Sequence, residues 1–188
     1  YLDYAASAPQ APEAAEAIAT YEKKPYAGAN PESLHTLGRE AAQALEGARR
    51  DIARCLGGHF RPAEIVLTSG GTEANNLALQ GIAQAVRMRQ RNRTQIIVSA
   101  IEHDSVLDVV PSLKDKGFDV DIVQPNREGV ITPEALQALA SNKTALVSVM
   151  TANNETGVVQ PIEELAEIAH KAGARFHTDA VAAFGRMP

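Results

Sequence analysis

Short β-branched runs alternate with helix-period segments along most of the chain, and few folds accommodate that alternation. Ile96-Ile97-Val98, 118–123, 145–150 and 174–177 read as strands, and Ile65-Val66-Leu67 is an earlier short apolar run of the same kind. Between them the apolar residues recur at three and four positions, most clearly at Ala41, Ala42, Leu45, Ala48, Ile52 and Cys55. Strands separated by helices cannot pair through tight hairpins. They form a mostly parallel sheet with helices on both faces, an α/β fold. Ligands of such sheets bind at the carboxyl ends of the strands.

The punctuation agrees with that alternation. Helices are expected over 12–21, 38–56, 73–87, 105–116, 132–140 and 161–171. Pro12 suits a first helical position, where its missing N–H costs nothing, and Thr132-Pro133-Glu134 is a cap followed by such a proline. Gly57-Gly58 stops the second helix. Pro111 inside 105–116 implies a kink or a late start. Residues 26–37 are rich in Gly, Pro, Asn and Ser and read as loop.

Composition narrows the partners. A net charge of −5 over 188 residues argues against a nucleic-acid surface. The basic stretch 87–93 falls at a helix end, where cations suit the negative pole of the dipole, and reads as a solvated terminus. No apolar run approaches the roughly 20 residues that span a membrane, and no leader pattern is present. The single cysteine, Cys55, fits a reducing, cytoplasmic compartment, and its place on the apolar face of a helix reads as core packing. The chain opens on Tyr1 without an initiator Met, as expected if residues preceded it.

Four segments carry potential chemistry, each just after a strand. In Thr68-Ser69-Gly70-Gly71-Thr72-Glu73 the glycines let the backbone approach an anion. Thr72 can cap a helix beginning at Glu73, whose free N–H groups would grip a phosphate. The plain alternative is a Gly-rich turn. His103 could stack on a flat cofactor or shuttle protons, or simply be a polar turn residue. In Asn153-Asn154-Glu155-Thr156-Gly157 an amide could donate to a ring oxygen, although Asn and Gly also favour turns for backbone reasons. Asp179 closes the last strand; a carboxylate there needs a partner, either a protonated pyridine nitrogen or the amides of a following turn. The five histidines are scattered and give no metal-ligand spacing.

Taken together, these blocks resemble the cysteine desulfurases, the NifS/IscS-like branch of the class V aminotransferase family. The match runs from Tyr1-Leu2-Asp3-Tyr4-Ala5-Ala6 through Asn30-Pro31-Glu32-Ser33-Leu34-His35, Glu102-His103 and His177-Thr178-Asp179-Ala180 to Phe184-Gly185-Arg186-Met187-Pro188. The resemblance implies a pyridoxal 5'-phosphate (PLP) enzyme that converts L-cysteine to L-alanine. Its sulfur passes to an enzyme cysteine persulfide for iron–sulfur cluster assembly or thiolation. The resemblance places Gly71 and Thr72 on the cofactor phosphate, His103 over the ring as the catalytic residue, Asn154 near the ring oxygen, Asp179 on the pyridine nitrogen and Asn30 near the substrate carboxylate. It also implies a homodimer and a scaffold or other sulfur-acceptor partner. Selenocysteine lyase and aminotransferase are the alternative activities on this scaffold.

Three departures from the family pattern shape the expectation. The glutamine usual three residues after the aspartate is Ala182. The Schiff-base lysine of the family lies some tens of residues beyond Asp179, and the persulfide cysteine later still, so Cys55 does not inherit that role. The chain is therefore expected to be the N-terminal part of the PLP-binding large domain, incomplete and lacking its C-terminal half. Residues 1 to about 12 would be an arm of the small domain. A non-catalytic truncated copy without the lysine is the remaining alternative.

Overall fold

The computed structural model describes residues 2–57 and 59–187; Tyr1, Gly58 and Pro188, each part of a segment quoted above, lie outside that set. Two compact units divide at Leu67 and Thr68.

The first unit is helical. Helix α1 (Pro12–Glu22) has proline in its first turn and buries none of its residues. Helix α2 (Thr36–Cys55) is capped by His35, whose Nδ1 accepts from the Gly38 amide at 3.1 Å. That tight entry requires glycine: a Cβ on Gly38 would lie 2.3 Å from the Ser33 carbonyl oxygen. Gly38, Ala41 and Ala53 form the buried stripe of α2. Cys55 departs from expectation and is exposed. It is the last residue of the helix, and the following Leu56 is itself 40% exposed, so that end of the stripe has no cover. Gly57 follows with φ 101°, a left-handed stop suited to glycine. Ile65-Val66-Leu67 is irregular and is not a strand. No described segment pairs with it, and without a partner its backbone groups form no ladder.

The second unit alternates as its periodicity requires. It runs α3 (Gly71–Arg89), β1 (Gln95–Ser99), α4 (Asp104–Leu107), α5 (Val109–Asp115), β2 (Asp119–Val123), α6 (Pro133–Leu139), β3 (Thr144–Ser148), α7 (Ile162–Lys171) and β4 (Arg175–His177). Its four strands pair in the order β2-β1-β3-β4, and each pairing is parallel. Pro111 has the expected effect: the helix breaks at Asp108 and restarts at Val109, placing proline in the new first turn. Thr132 caps α6 by accepting from the Ala135 amide at 3.2 Å.

Side chains of β1 point alternately to two cores, as the two-residue period of a strand dictates. Ile96 and Val98 join Leu146 beneath Leu79 and Ala83 of α3 and Val106, Val109 and Leu113 of α4 and α5. Ile97 joins Val147 beneath Leu136 of α6 and Leu165 and Ala169 of α7. The sheet thus has helices on both faces. Each fully buried Leu or Ile contributes roughly 1.5–3 kcal/mol relative to exposure.

The basic stretch after α3 is more than a solvated terminus. Arg93 Nη1 donates to the carbonyls of Thr144 at 2.6 Å and Ala172 at 3.0 Å. Arg87 donates to the Lys116 carbonyl at 2.6 Å and lies 4.1 Å over the Phe118 ring. Guanidinium donors satisfy loop carbonyls at the amino-terminal end of the sheet, a need that charge pattern alone does not announce.

Candidate functional site

A parallel sheet places every strand's carboxyl end on one rim, and the segments leaving β1, β3 and β4 carry the polar residues of interest. The pairing of β3 with β4 continues past both: the Val149 amide donates to His177 at 3.1 Å and the Thr151 amide to the Asp179 carbonyl at 2.8 Å. That continuation fixes Asp179 at the rim. Its side chain is 8% exposed. Oδ2 accepts from Asn75 Nδ2 at 2.7 Å, and Oδ1 accepts from the Val181 amide at 2.9 Å. The turn reading of Asp179 therefore holds, and Asn75 is a second, buried donor that the sequence did not announce.

Asn75 belongs to the first turns of α3, which brings that helix's N-terminus to Asp179. The helix starts at Gly71, two residues earlier than its pattern implies, and Gly70 is the cap residue with no side-chain bond. Thr72 is thus inside the first turn and does not cap. Glu73 closes the turn instead, its Oε2 accepting from the amide and the hydroxyl of Ser69, each at 2.7 Å. The Ser69 amide bond is the main cause that holds the Glu73 carboxyl below its ordinary range. The amides of Gly71, Thr72 and Glu73 open the helix with no carbonyl one turn before them. A Cβ on Gly71 would sit 3.1 Å from Val181 Cγ2, so glycine keeps this entry close to the turn after Asp179.

His103 caps α4: its Nδ1 accepts from the Ser105 amide at 3.1 Å and is 2.9 Å from Ser105 Oγ. The ring itself is exposed. Asn153 has both ends of its amide engaged, Nδ2 donating to the Ile101 carbonyl at 2.9 Å and Oδ1 accepting from the Thr156 amide at 2.8 Å. It builds the turn and leaves its neighbour Asn154 exposed. His103, Asn154 and Thr156 line one cleft of about 380 Å³. Asn30 belongs to the first unit, where its Oδ1 accepts from the Glu32 amide at 2.9 Å in the turn before α2.

Glu102 is a residue that sequence reasoning passed over except as part of a motif. It is 6% exposed. Oε1 accepts from the Met150 amide at 2.7 Å and from Ser99 Oγ, tying the ends of β1 and β3 together, while Oε2 is buried with no partner. Burial pushes its carboxyl up to about 7, against the pull of the Ser99 and Met150 bonds and with a further push from Asp179. The detectable signal was Ser99, the polar last residue of β1, with the carboxylate of Glu102 three residues beyond it. His177, at the end of β4, is 2.9 Å from Ser148 Oγ and is held below the ordinary histidine range by burial, which outweighs the nearby Asp179 charge. Among the described residues no group of three or more His, Cys, Asp or Glu could hold a metal ion.

The rim therefore gathers the N-terminus of α3, the buried Asp179 carboxylate, the exposed His103 and the exposed Asn154. Residues 1–188 match the Aminotransferase class-V family. The chain belongs to that family. Relatives agree: it is 41% identical to a cysteine desulfurase IscS of Dictyoglomus turgidum over 100% of this chain and 46% of the relative. It is 39% identical to a mitochondrial cysteine desulfurase of Eremothecium gossypii, over 100% of this chain and 37% of the relative. Among solved structures, a NifS-like protein superposes with a TM-score of 0.89 at 35% identity, over 100% of this chain and 50% of the other. A structure described as SspA in complex with cysteine gives 0.86 at 37% identity, over 98% of this chain and 51% of the other. The chain spans about half the length of the relatives it matches.

Proposed function

We propose that this chain is the N-terminal part of the PLP-binding large domain of a cysteine desulfurase, which takes L-cysteine to L-alanine and passes the sulfur to an enzyme thiol. The observation that carries the cofactor reading is Asp179, a buried carboxylate at the rim with donors already on both oxygens. Such a group is prepared to hold its negative charge against a cationic ring nitrogen. The donor set fits PLP at other points too. The amides of Gly71, Thr72 and Glu73 would bind the phosphate, with Gly70 and Gly71 letting it come close. His103 would cover the ring face and move a proton at its free nitrogen, and the exposed Asn154 amide would donate to the ring oxygen. Ala182 offers no such donor, so that contact falls to Asn154. When bound, PLP supplies an electron sink for negative charge at the substrate Cα. Asn30, by family resemblance, would meet the substrate carboxylate.

The names of the relatives support L-cysteine as substrate, and one superposed structure is described as a complex with cysteine. We place the protein in the cytoplasm, as a homodimer serving an iron–sulfur scaffold or another sulfur acceptor. Among the described residues no helix is long and apolar enough to cross a membrane.

The test is PLP binding and alanine formation from L-cysteine by the full-length protein, beside its Asp179→Ala variant. PLP absorbance with alanine and persulfide products is the expected result, and Asp179→Ala should lower kcat roughly 10²–10³-fold, the scale of losing one preorganised electrostatic contact. Turnover of selenocysteine or a keto acid without alanine from cysteine would move the reading to a sister activity. Absence of bound PLP would end it.

A further inference from the structure

The residues that the PLP reading employs do not stand alone: Asp179 and His103 are joined by two side chains to which that reading gives no task. Asn75 Nδ2 lies 2.7 Å from Asp179 Oδ2 and 2.9 Å from Ser105 Oγ. Ser105 Oγ lies 2.9 Å from His103 Nδ1, to which the Ser105 amide also donates at 3.1 Å. Asn75 and Ser105 are both buried, at 4% and 8% exposure, so no bulk water competes for these bonds. We propose that Asn75 and Ser105 are positioning residues that form a hydrogen-bond chain linking Asp179 to His103, in which the Asn75 amide donates to both sides and Ser105 donates to the ring, fixing the imidazole tautomer with its proton on Nε2.

The direction follows from donor chemistry. A carboxylate only accepts, so the Asn75 atom facing Asp179 Oδ2 is the amide nitrogen; a carbonyl oxygen there would set two acceptors 2.7 Å apart. That nitrogen has a second hydrogen, and Ser105 Oγ receives it. Ser105 keeps its own hydroxyl hydrogen for Nδ1. The reverse arrangement, with the proton on Nδ1, would point an N–H at the Ser105 backbone N–H, which cannot turn away because it is part of the helix cap. Nδ1 is therefore an acceptor from two donors, and Nε2 is the protonated nitrogen. The anchor at Asp179 orders the chain: the carboxylate orients the amide, the amide orients the hydroxyl, and the hydroxyl joins the Ser105 backbone N–H in holding Nδ1 as an acceptor. Asn75 lies 104 residues from Asp179 and 30 from Ser105, so the chain does not appear as a local sequence motif.

The tautomer rests on geometry alone, whereas its use in proton transfer rests on the PLP reading above. Long-range ¹H–¹⁵N NMR of the imidazoles in the full-length protein, without and with PLP, reads the two separately. The wild-type His103 signal should show an unprotonated Nδ1 and a protonated Nε2 before any cofactor is added. Ser105→Ala removes one of the two donors to Nδ1 and should shift the Nδ1 resonance while the remaining Ser105 amide keeps the proton on Nε2, and Ser105→Thr should restore it. Asn75→Ala should produce a shift of the same sense although Asn75 does not touch the ring. In the loaded enzyme, Ser105→Ala should lower kcat about tenfold, the effect of one lost hydrogen bond, with KM changed less than about twofold. Protonated Nδ1 in the wild type overturns the proposal, as do imidazole signals that stay unmoved in Ser105→Ala. Should Asn75→Ala fail to fold, Ser105→Ala and its threonine rescue decide alone. A protein that shows the Nε2 tautomer yet binds no PLP keeps the relay and loses the desulfurase.

Discussion

Glu102 sets a carboxyl group where one of its oxygens meets neither water nor a donor, and the physical response is to keep a proton. Its ordinary value of 4.5 is raised to about 7 by burial. The folded chain then holds a proton over that window which the unfolded chain has released. Stability is fullest below about 4.5 and declines as pH rises toward 7, by an amount on the order of 3 kcal/mol. Glu102→Gln keeps the acceptor for Met150 and removes the titration. Urea midpoints of the variant should vary less between pH 4.5 and 7 than those of the wild type, with the variant gaining most at the upper end. Parallel pH curves for the two proteins would show that Glu102 is ionised throughout. The residue scale is also where sequence reading is weakest. Asp179, His103 and Asn154 stood out because each follows a strand, where ligands of parallel sheets bind, although each also had a plain reading as a turn residue. Asn75 and Ser105 did not, because a polar residue inside a helix looks solvated until the opposite side chain is known.

Helix α3 shows how one element serves packing and site together. Leu79 and Ala83 seat it on the sheet, while Gly71 to Asn75 present amides and a carboxamide at the rim. Leu79→Ala should cost about 2–5 kcal/mol, measured by chemical denaturation, because the void lies between helix and strands where little can collapse. Leu77, 53% exposed on the same helix, is the control: its alanine variant should stay within roughly 0.5 kcal/mol of wild type. Elements of this kind were legible from periodicity, since a stripe that must be buried fixes helix and strand alike. Their ends were less so. The start of α3 moved to Gly71 because Glu73, not Thr72, satisfies the Ser69 amide, a choice between two adjacent polar residues that spacing does not resolve. Ile65-Val66-Leu67 has the composition of a strand, but strand formation depends on a neighbour that local sequence does not contain.

At the scale of the whole molecule, the division at Leu67 and Thr68 separates Asn30 from the Asp179, His103 and Asn154 group. Val66 and Leu67 are 65% and 48% exposed in irregular backbone, the conditions under which a protease finds its substrate. Limited digestion with elastase, followed by mass spectrometry, should cut first near this boundary and leave the segment from Thr68 onward intact. Initial cleavage inside the sheet unit would contradict the two-unit division. Parallel class and the presence of helices on both faces were readable from alternation alone; the order β2-β1-β3-β4 was not, since every crossover joins chemically similar runs. The Asn75–Asp179 contact has a temporal consequence. Asp179 stands 104 residues after Asn75, just past β4. At 5–20 residues per second, a ribosome needs roughly 5–20 s to travel from one partner to the other. Throughout that interval the nascent helix α3 carries an amide without its carboxylate, and the Asn75–Asp179 contact forms only once the segment after β4 has emerged.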